Sequence, residues 1–140
     1  MEYKKIDNLF LLQLKRGESV LDSLRSFAQE QHLNSGMIQA IGALEKVTLG
    51  YFDRNSRTYL KQDFDDVYEL VSLNGNLSRV GEEPFWHIHV VLADRNFQTT
   101  GGHLFAATVA VTFEAFLTAL PWKLVRIHDK SVNLNLWDLS

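Results

Sequence analysis

Residues 85–104 read FWHIHVVLADRNFQTTGGHL and contain three of the five histidines of the chain. From Phe85 to Ala93 the residues are aromatic, β-branched or otherwise apolar apart from two histidines, which favours a strand over a helix. The polar segment Asp94–Asn96 is typical of a turn. The pattern therefore predicts a β-hairpin whose second strand begins at Phe97.

The predicted hairpin brings its three histidines together. Side chains of a strand point alternately to opposite faces, so His87 and His89 share one face. If Asp94–Asn96 is a three-residue loop, His87 lies directly opposite His103, and His89 lies opposite Gly101 and diagonal to His103. Opposed Cβ atoms are about 5 Å apart and diagonal ones about 7 Å, so the three imidazoles reach one point.

This convergence depends on the length of the hairpin loop. With a two-residue loop the parity of the pairing changes, and His103 turns to the opposite face. In a second interpretation, the histidines are ordinary half-buried residues of a sheet that hydrogen-bond to their neighbours. A His-x-His pair with a third His alongside favours the metal site, because neutral imidazole is a common ligand of zinc and similar ions.

We therefore expect His87, His89 and His103 to bind one divalent transition metal, zinc first among the candidates. Gly101 and Gly102 leave space beside His89 and let backbone or ligand approach closely. Only neutral imidazole binds a metal, so occupancy is expected to fall below about pH 6.5, the unperturbed pKa of histidine. His32 and His128 lie outside this set.

Composition limits the class of protein. The 140 residues suit one domain spanning residues 1–140, and a hydrophobic fraction of 46% with 22% charged residues is typical of a globular chain. With no cysteine, a metal must be held by histidine, carboxylate or water. No segment resembles a secretory leader or a membrane span, so a cytoplasmic protein without membrane contact is expected. The net charge of −3 argues against a large electrostatic footprint on nucleic acid.

The rest of the chain predicts one helix among many strands. Apolar residues between Ser19 and Gln31 recur at helical spacing, and Ser19 with Asp22 resembles a capping box. The run Leu9–Leu14 suits a strand buried on both faces, and Gly42 suggests a bulge in a later strand. Residues 110–117 fit either a strand or a short helix. The fold class predicted is α+β, with a mainly antiparallel β-sheet of seven to eight strands and one principal helix.

Several short motifs, in order along nearly the whole chain, match a known family. They are Gly17-Glu18, Ser35-Gly36, Ala40-Ile41-Gly42-Ala43-Leu44, Leu49-Gly50-Tyr51-Phe52, Leu73-Asn74-Gly75-Asn76, His87-Ile88-His89 and Gly101-Gly102-His103-Leu104. With these motifs the chain resembles the plants-and-prokaryotes conserved (PPC) domain, in its prokaryotic stand-alone form. The Gly-Gly-His-Leu motif downstream of His-x-His is the most specific of them.

The resemblance implies a compact α+β fold that assembles into homotrimers. Plant members follow an AT-hook, a basic segment that enters the minor groove of DNA, and stand-alone bacterial members are labelled DNA-binding by association. This sequence contains no Arg-Gly-Arg-Pro-like hook. The three histidines match the prokaryotic form of the family. Glu114 matches a frequent acidic position, either as a fourth ligand, as a hydrogen-bond partner of a ligand, or simply as a rim carboxylate.

Two functions are compatible with these features. The first is a homotrimeric metal-binding module with a DNA-binding, regulatory or assembly role, in which any contact with DNA runs through partners or is weak. The second is a zinc-dependent hydrolase or lyase that uses the three-His site. A catalytic site also needs a general base, and the candidate carboxylates are Glu114 and, less convincingly, Glu82 or Glu83. Because none of them is compelling, the binding module is favoured over the enzyme.

Overall fold

The computed structural model describes residues 1–140 as nine β-strands and one α-helix. In chain order these are β1 (Glu2–Ile6), β2 (Leu9–Lys15), α1 (Val20–Glu30), β3 (Gly36–Asp53), β4 (Thr58–Phe64), β5 (Tyr68–Val80), β6 (Glu83–Ala93), β7 (Thr99–Ala119), β8 (Val125–Asp129) and β9 (Leu134–Asp138). The α+β class is confirmed, with nine strands rather than seven or eight. The sequence pattern did not reveal β1 because all five of its residues are exposed, so no apolar alternation marks it.

All nine strands belong to one sheet, and four of them close into a ring. Strand β3 pairs with β5, β5 with β6, β6 with β7, and β7 returns to β3. Strands β2 and β1 extend the sheet from β7, β4 pairs with β3, and the β8–β9 hairpin extends it from β5. Every pairing is antiparallel except the single parallel bridge between Arg79 and Val125. The predicted mainly antiparallel sheet is therefore confirmed.

The helix forms where its apolar spacing predicts. It begins after Ser19, and its buried stripe is Val20, Leu24, Phe27 and Ala28. The capping box is incomplete, because the Ser19 hydroxyl donates a hydrogen bond to the Asp22 carboxylate at 2.8 Å instead of bonding a backbone N–H group. The stripe packs on the sheet and belongs to a core cluster of 26 buried residues.

Three other features of the sheet correct, decide or confirm the sequence prediction. Strand β2 buries Phe10, Leu12 and Leu14 on one face only, so the prediction of a strand buried on both faces was wrong. Residues 110–117 are part of the long strand β7 and not a helix. The bulge at Gly42 is confirmed by a register shift, and a side chain there would collide with the carbonyl oxygen of Thr112.

The single helix α1 has 11 residues, and no helix of the chain is long and apolar enough to cross a membrane.

Candidate metal centre

The histidine hairpin forms with a longer loop than the sequence suggested. Its strands are β6 and β7, and the connection runs from Asp94 to Gln98. His89 therefore lies directly opposite His103, and His87 takes the diagonal position, so the predicted pairing of His87 with His103 was wrong. The shift is an even number of residues, which leaves every side chain on its predicted face.

The side chain and backbone of Asp94 hold this loop. The Asp94 Oδ1 atom accepts hydrogen bonds from the backbone N–H groups of Asn96 and Gln98, both at 2.8 Å. Two backbone hydrogen bonds close the loop, from Phe97 N to Asp94 O and from Asp94 N to Gln98 O. Phe97 adopts a left-handed conformation with φ of 61°, which turns the chain into β7. These local bonds select a five-residue connection and so set the register of the histidines.

The three histidines converge. One nitrogen from each of His87, His89 and His103 lies within 4.8 Å of the other two. The centroids of the three rings are 5.1 to 5.5 Å apart, and the Nε2 atoms of His87 and His89 are separated by 3.1 Å. His89 is exposed, whereas His87 and His103 are partly buried. The sequence-predicted set is thus brought to one point, although by a different pairing.

The glycines beside His103 are required by neighbouring backbone. A Cβ atom on Gly101 would lie 2.5 Å from the carbonyl oxygen of Val90, and one on Gly102 would lie 2.9 Å from that of Gly50. Both distances are too short for a side chain, so close strand packing accounts for these glycines. Of the two explanations offered by the sequence, backbone approach applies, and no ligand is needed to explain them.

Two of the imidazoles are held in the neutral form. Burial, the charge of Arg126 and the neighbouring His89 together lower the pKa of His87 to about 4. Burial, followed by the two other histidines, Lys61 and Arg126, likewise lowers the pKa of His103 to about 4. Desolvation and nearby positive charge both disfavour the imidazolium ion. These two side chains therefore keep a free lone pair well below pH 6.5, which is the form that binds a metal.

The donor set fits a zinc-like ion. Zinc binds imidazole nitrogen at about 2.0–2.1 Å, so two nitrogens on one tetrahedral zinc are about 3.3 Å apart, close to the 3.1 Å between His87 and His89. The Nδ1 atom of His103 is buried and has no hydrogen-bond partner. Buried polar atoms are nearly always paired, so an orphaned ring nitrogen beside two other imidazoles is unusual for a purely structural histidine.

The candidate carboxylates do not join this cluster. Glu114 lies near the far end of β7, paired with Gln13 and Ile41, and its carboxylate accepts a hydrogen bond from the Thr112 hydroxyl. The other two make surface contacts elsewhere, Glu82 with Lys123 and Glu83 with Gln29. None of the three belongs to the group of potential metal ligands formed by the histidines. Within one chain, the cluster therefore contains imidazoles alone.

A cavity of about 410 Å³ opens beside the histidines, and its wall contains residues that the sequence did not single out. His87 and His103 line it together with Tyr59 and Arg126. The ring of Tyr59 lies 5.0 Å from that of His103, and burial raises the pKa of the Tyr59 hydroxyl. His128 also lines this cavity, although the sequence placed it away from the site.

The sequence did not indicate Arg126, on β8, as a residue of the site, because strand β8 carries no motif. Its Nε donates to Ser78 Oγ at 2.8 Å, and its Nη1 donates to the backbone oxygen of Asn135 at 2.8 Å. Its Nη2 donates to Asn76 Oδ1 at 3.0 Å and lies 3.4 Å from His87 Nδ1. These contacts hold the C-terminal hairpin against β5 and bring a guanidinium group beside the histidines.

Residues 1–121 match the model of a family named the Plants and Prokaryotes Conserved (PCC) domain. Three solved structures resemble the chain over almost its full length. A candidate DNA-binding protein from Bacteroides thetaiotaomicron is 26% identical with a TM-score of 0.95, over 98% of this chain and 96% of that one. A metal-containing protein from Archaeoglobus fulgidus is 32% identical with a TM-score of 0.88, over 98% of each chain. A plant- and prokaryote-conserved protein from Pyrococcus horikoshii is 29% identical with a TM-score of 0.87, over 98% of this chain and 93% of that one.

Curated relatives resemble only part of this chain. Bifunctional GlmU proteins from two Synechococcus strains are 31% identical over 97 residues, which is 69% of this chain. The same segment is 14% of the length of each GlmU protein. The chain thus spans a small part of the curated relatives that it matches.

Proposed function

We propose that this chain, which belongs to the Plants and Prokaryotes Conserved (PCC) domain family, is a single-domain, homotrimeric metal-binding protein with a regulatory or assembly role. Its metal ligands are His87, His89 and His103, and the metal is zinc. The observation that carries this proposal is the meeting of three imidazole nitrogens within 4.8 Å, one of the rings having a buried nitrogen without a partner.

The chemistry of the site supports zinc over harder cations. Imidazole nitrogen suits zinc, copper, nickel and iron, whereas magnesium and calcium prefer oxygen ligands. Three neutral ligands add no negative charge, and the low pKa of His87 and His103 keeps both available to a metal at neutral pH. A metal-containing protein of 32% identity covers 98% of this chain, which is consistent with a metal in this fold. Zinc held by these imidazoles would supply Lewis acidity beside the cavity that His87 and His103 line.

Elemental analysis tests the metal proposal. Protein expressed without a polyhistidine tag should contain about one zinc per chain, because three converging imidazoles suffice for a stable site. Dialysis against a chelator should remove the metal, and added zinc should restore it. Wild-type protein that binds no zinc at neutral pH, even with zinc supplied, would show that the histidines are ordinary sheet residues.

The homotrimer is proposed from the family resemblance and is supported by the outer surface of the sheet. Met37, Ile41, Val71, Val111 and Phe116 are each more than half exposed. An apolar surface of this kind is typical of a protein interface. Light scattering at micromolar protein should give three times the 16.1 kDa mass of the chain, with and without chelator. A monomer mass would contradict the trimer without bearing on the metal.

For DNA, we propose only weak binding without sequence preference. A candidate DNA-binding protein resembles the chain with a TM-score of 0.95, which motivates a DNA-related role. The net charge of −3 opposes strong contact with phosphates. The protein should therefore bind duplex DNA weakly and without sequence preference in a fluorescence anisotropy assay. Sub-micromolar, sequence-selective binding at physiological salt would contradict this expectation.

The alternative function is a zinc-dependent hydrolase or lyase. The observation that favours it is the cavity of about 410 Å³ directly beside the three-His cluster, since catalytic zinc sites keep an open position next to a substrate pocket. The absence of a carboxylate among the clustered ligands leaves no obvious general base, which ranks this function second. Zinc-dependent turnover that is lost in His103→Ala would reverse the ranking.

A further inference from the structure

The charge of Arg126 has no partner of opposite sign. This side chain is only 7% exposed, and none of the ion pairs of the protein includes it. Its hydrogen-bond acceptors are a hydroxyl, an amide oxygen, a backbone carbonyl and an imidazole, all of them neutral. The burial of a charge without a counterion costs free energy, so a guanidinium held in this way has an unmet preference for an anion.

The guanidinium is also held in a fixed position. It lies over the rings of Phe85 and Trp137, with its central carbon 5.0 and 5.7 Å from their centroids. Ser78, Asn76 and the backbone of Asn135 hold it from three directions. A cation positioned by aromatic rings and neutral hydrogen bonds is arranged before any ligand binds, which reduces the entropy that binding would cost.

The accessible side of Arg126 faces the cavity that the histidines share. About half of the residues in its wall are apolar, among them Leu21, Phe105, Leu134 and Leu136. A volume of about 410 Å³ lies within the range of small-molecule sites. Arg25 also lines the cavity, but its guanidinium pairs with the carboxylate of Asp22 at 3.1 Å. Arg126 is therefore the arginine of this wall that lacks an anionic partner, and with the apolar side chains it matches a molecule with one anionic group and a hydrocarbon body.

We propose that this cavity binds a small organic monocarboxylate, with the carboxylate at Arg126 and the hydrocarbon body against the apolar wall. The inference rests on the proposed function only in that a zinc ion at the three histidines would add a second attraction for the anion. Arg126 itself provides the anion site, so the metal-free protein also binds the ligand.

The hydrogen bonds of Arg126 favour a carboxylate over a phosphate. Of its five N–H groups, three donate at 3.0 Å or less to protein oxygens, and a fourth makes only the long 3.4 Å contact to His87. The fourth and fifth N–H groups are therefore available to donate hydrogen bonds to a ligand. Two donors match the two oxygens of a carboxylate, whereas a phosphate dianion has three strong acceptor oxygens, one more than these donors can satisfy.

Calorimetric titration of the chelator-treated, metal-free protein tests this inference. The probe is isobutyrate, compared at constant ionic strength with its uncharged analogue isobutyramide and with inorganic phosphate. Isobutyrate should bind in the millimolar range, and the amide should bind about tenfold more weakly or worse, because it lacks the charge that Arg126 recognises. Equal affinity for acid and amide, tighter binding of phosphate, or no binding of isobutyrate would each overturn the proposal.

Substitutions locate the site. Arg126→Gln should weaken isobutyrate binding about tenfold or more, whereas Arg54→Gln, an exposed arginine in the turn between β3 and β4, should change it less than about twofold. An equal effect of the two substitutions would place the anion elsewhere and overturn the proposal. If Arg126→Gln fails to fold, the Nε–H NMR signal of Arg126 in the wild-type protein decides. It should shift with isobutyrate but not with chloride at equal ionic strength, and an unchanged signal would overturn the proposal.

The same isobutyrate titration, repeated after zinc has been added, distinguishes a failure of this inference from a failure of the proposed function. Isobutyrate binding to a protein that takes up no zinc would sustain the anion site and refute the metal site. Zinc uptake by a protein that binds no isobutyrate would do the reverse.

Discussion

The β6–β7 hairpin and the β8–β9 hairpin contribute to the same cavity in different ways. The first supplies neutral nitrogens from His87 and His103, and the second supplies the buried cation of Arg126. In the first hairpin the functional side chains lie on strands of the closed ring, whereas β8 joins the sheet through one parallel bridge and the contacts of Arg126. The positions of the candidate ligands are therefore set by the strands of the closed ring, whereas the positive charge beside them comes from a strand at the edge of the sheet.

The largest expected effect concerns the first hairpin. His103→Ala should lower zinc affinity by at least about 100-fold, because it removes one of three ligands, whereas substitution of a residue that merely supports a ligand costs about 10–100-fold. Competition with a chromophoric chelator measures this. His32→Ala, at an exposed residue in the turn after α1, should leave the zinc affinity unchanged. His128→Ala is the sharper control, because this residue lines the cavity but is not in the cluster. Equal losses of zinc affinity in all three variants would show that His103 is no more a zinc ligand than His32 or His128.

A smaller effect is expected in the second hairpin. Arg126→Met should reduce the free energy of unfolding by about 2 kcal/mol, because Ser78 Oγ, Asn76 Oδ1 and the Asn135 carbonyl lose their donor while the charge is removed as well. Urea denaturation of metal-free protein measures this, with exposed Arg54→Met expected to stay within about 0.5 kcal/mol of wild type. If Arg126→Met were as stable as wild type, the guanidinium would not be what attaches the hairpin.

The smallest expected effect is the pH dependence of the metal-free protein. His87 and His103 have a pKa of about 4 when folded and an ordinary value near 6.5 when unfolded. Between these values the unfolded chain binds more protons, so acidification favours unfolding, and the loss of stability is complete near pH 4. Both rings are partly exposed, so solvent screening limits the size of the effect.

Urea denaturation between about pH 4 and pH 6.5 measures this contribution. His103→Asn should show a shallower dependence than wild type over this window, while His32→Asn should match wild type. Identical slopes for wild type and His103→Asn would mean that burial and the two neighbouring histidines do not suppress protonation of His103.

The sequence alone determined which histidines can share one face of the sheet, because that depends on local periodicity. His87 and His89 share a face since a strand repeats every two residues, and His103 lies on the same face for any hairpin register of the correct parity. The same kind of local information predicted the helix and the bulge at Gly42. It was also sufficient for the α+β class. The short motifs, not the periodicity, carried the resemblance to the PPC domain, which the family match over residues 1–121 confirms.

Only the tertiary structure decided the exact partners and the electrostatics. The hydrogen bonds of Asp94 lengthened the hairpin loop and placed His89, not His87, opposite His103. The burial of Arg126 depends on Ser78 and Asn76, which are far from it in sequence. Sequence periodicity reports which way a side chain points, but not which distant segment packs against it, and a buried charge is placed by distant segments.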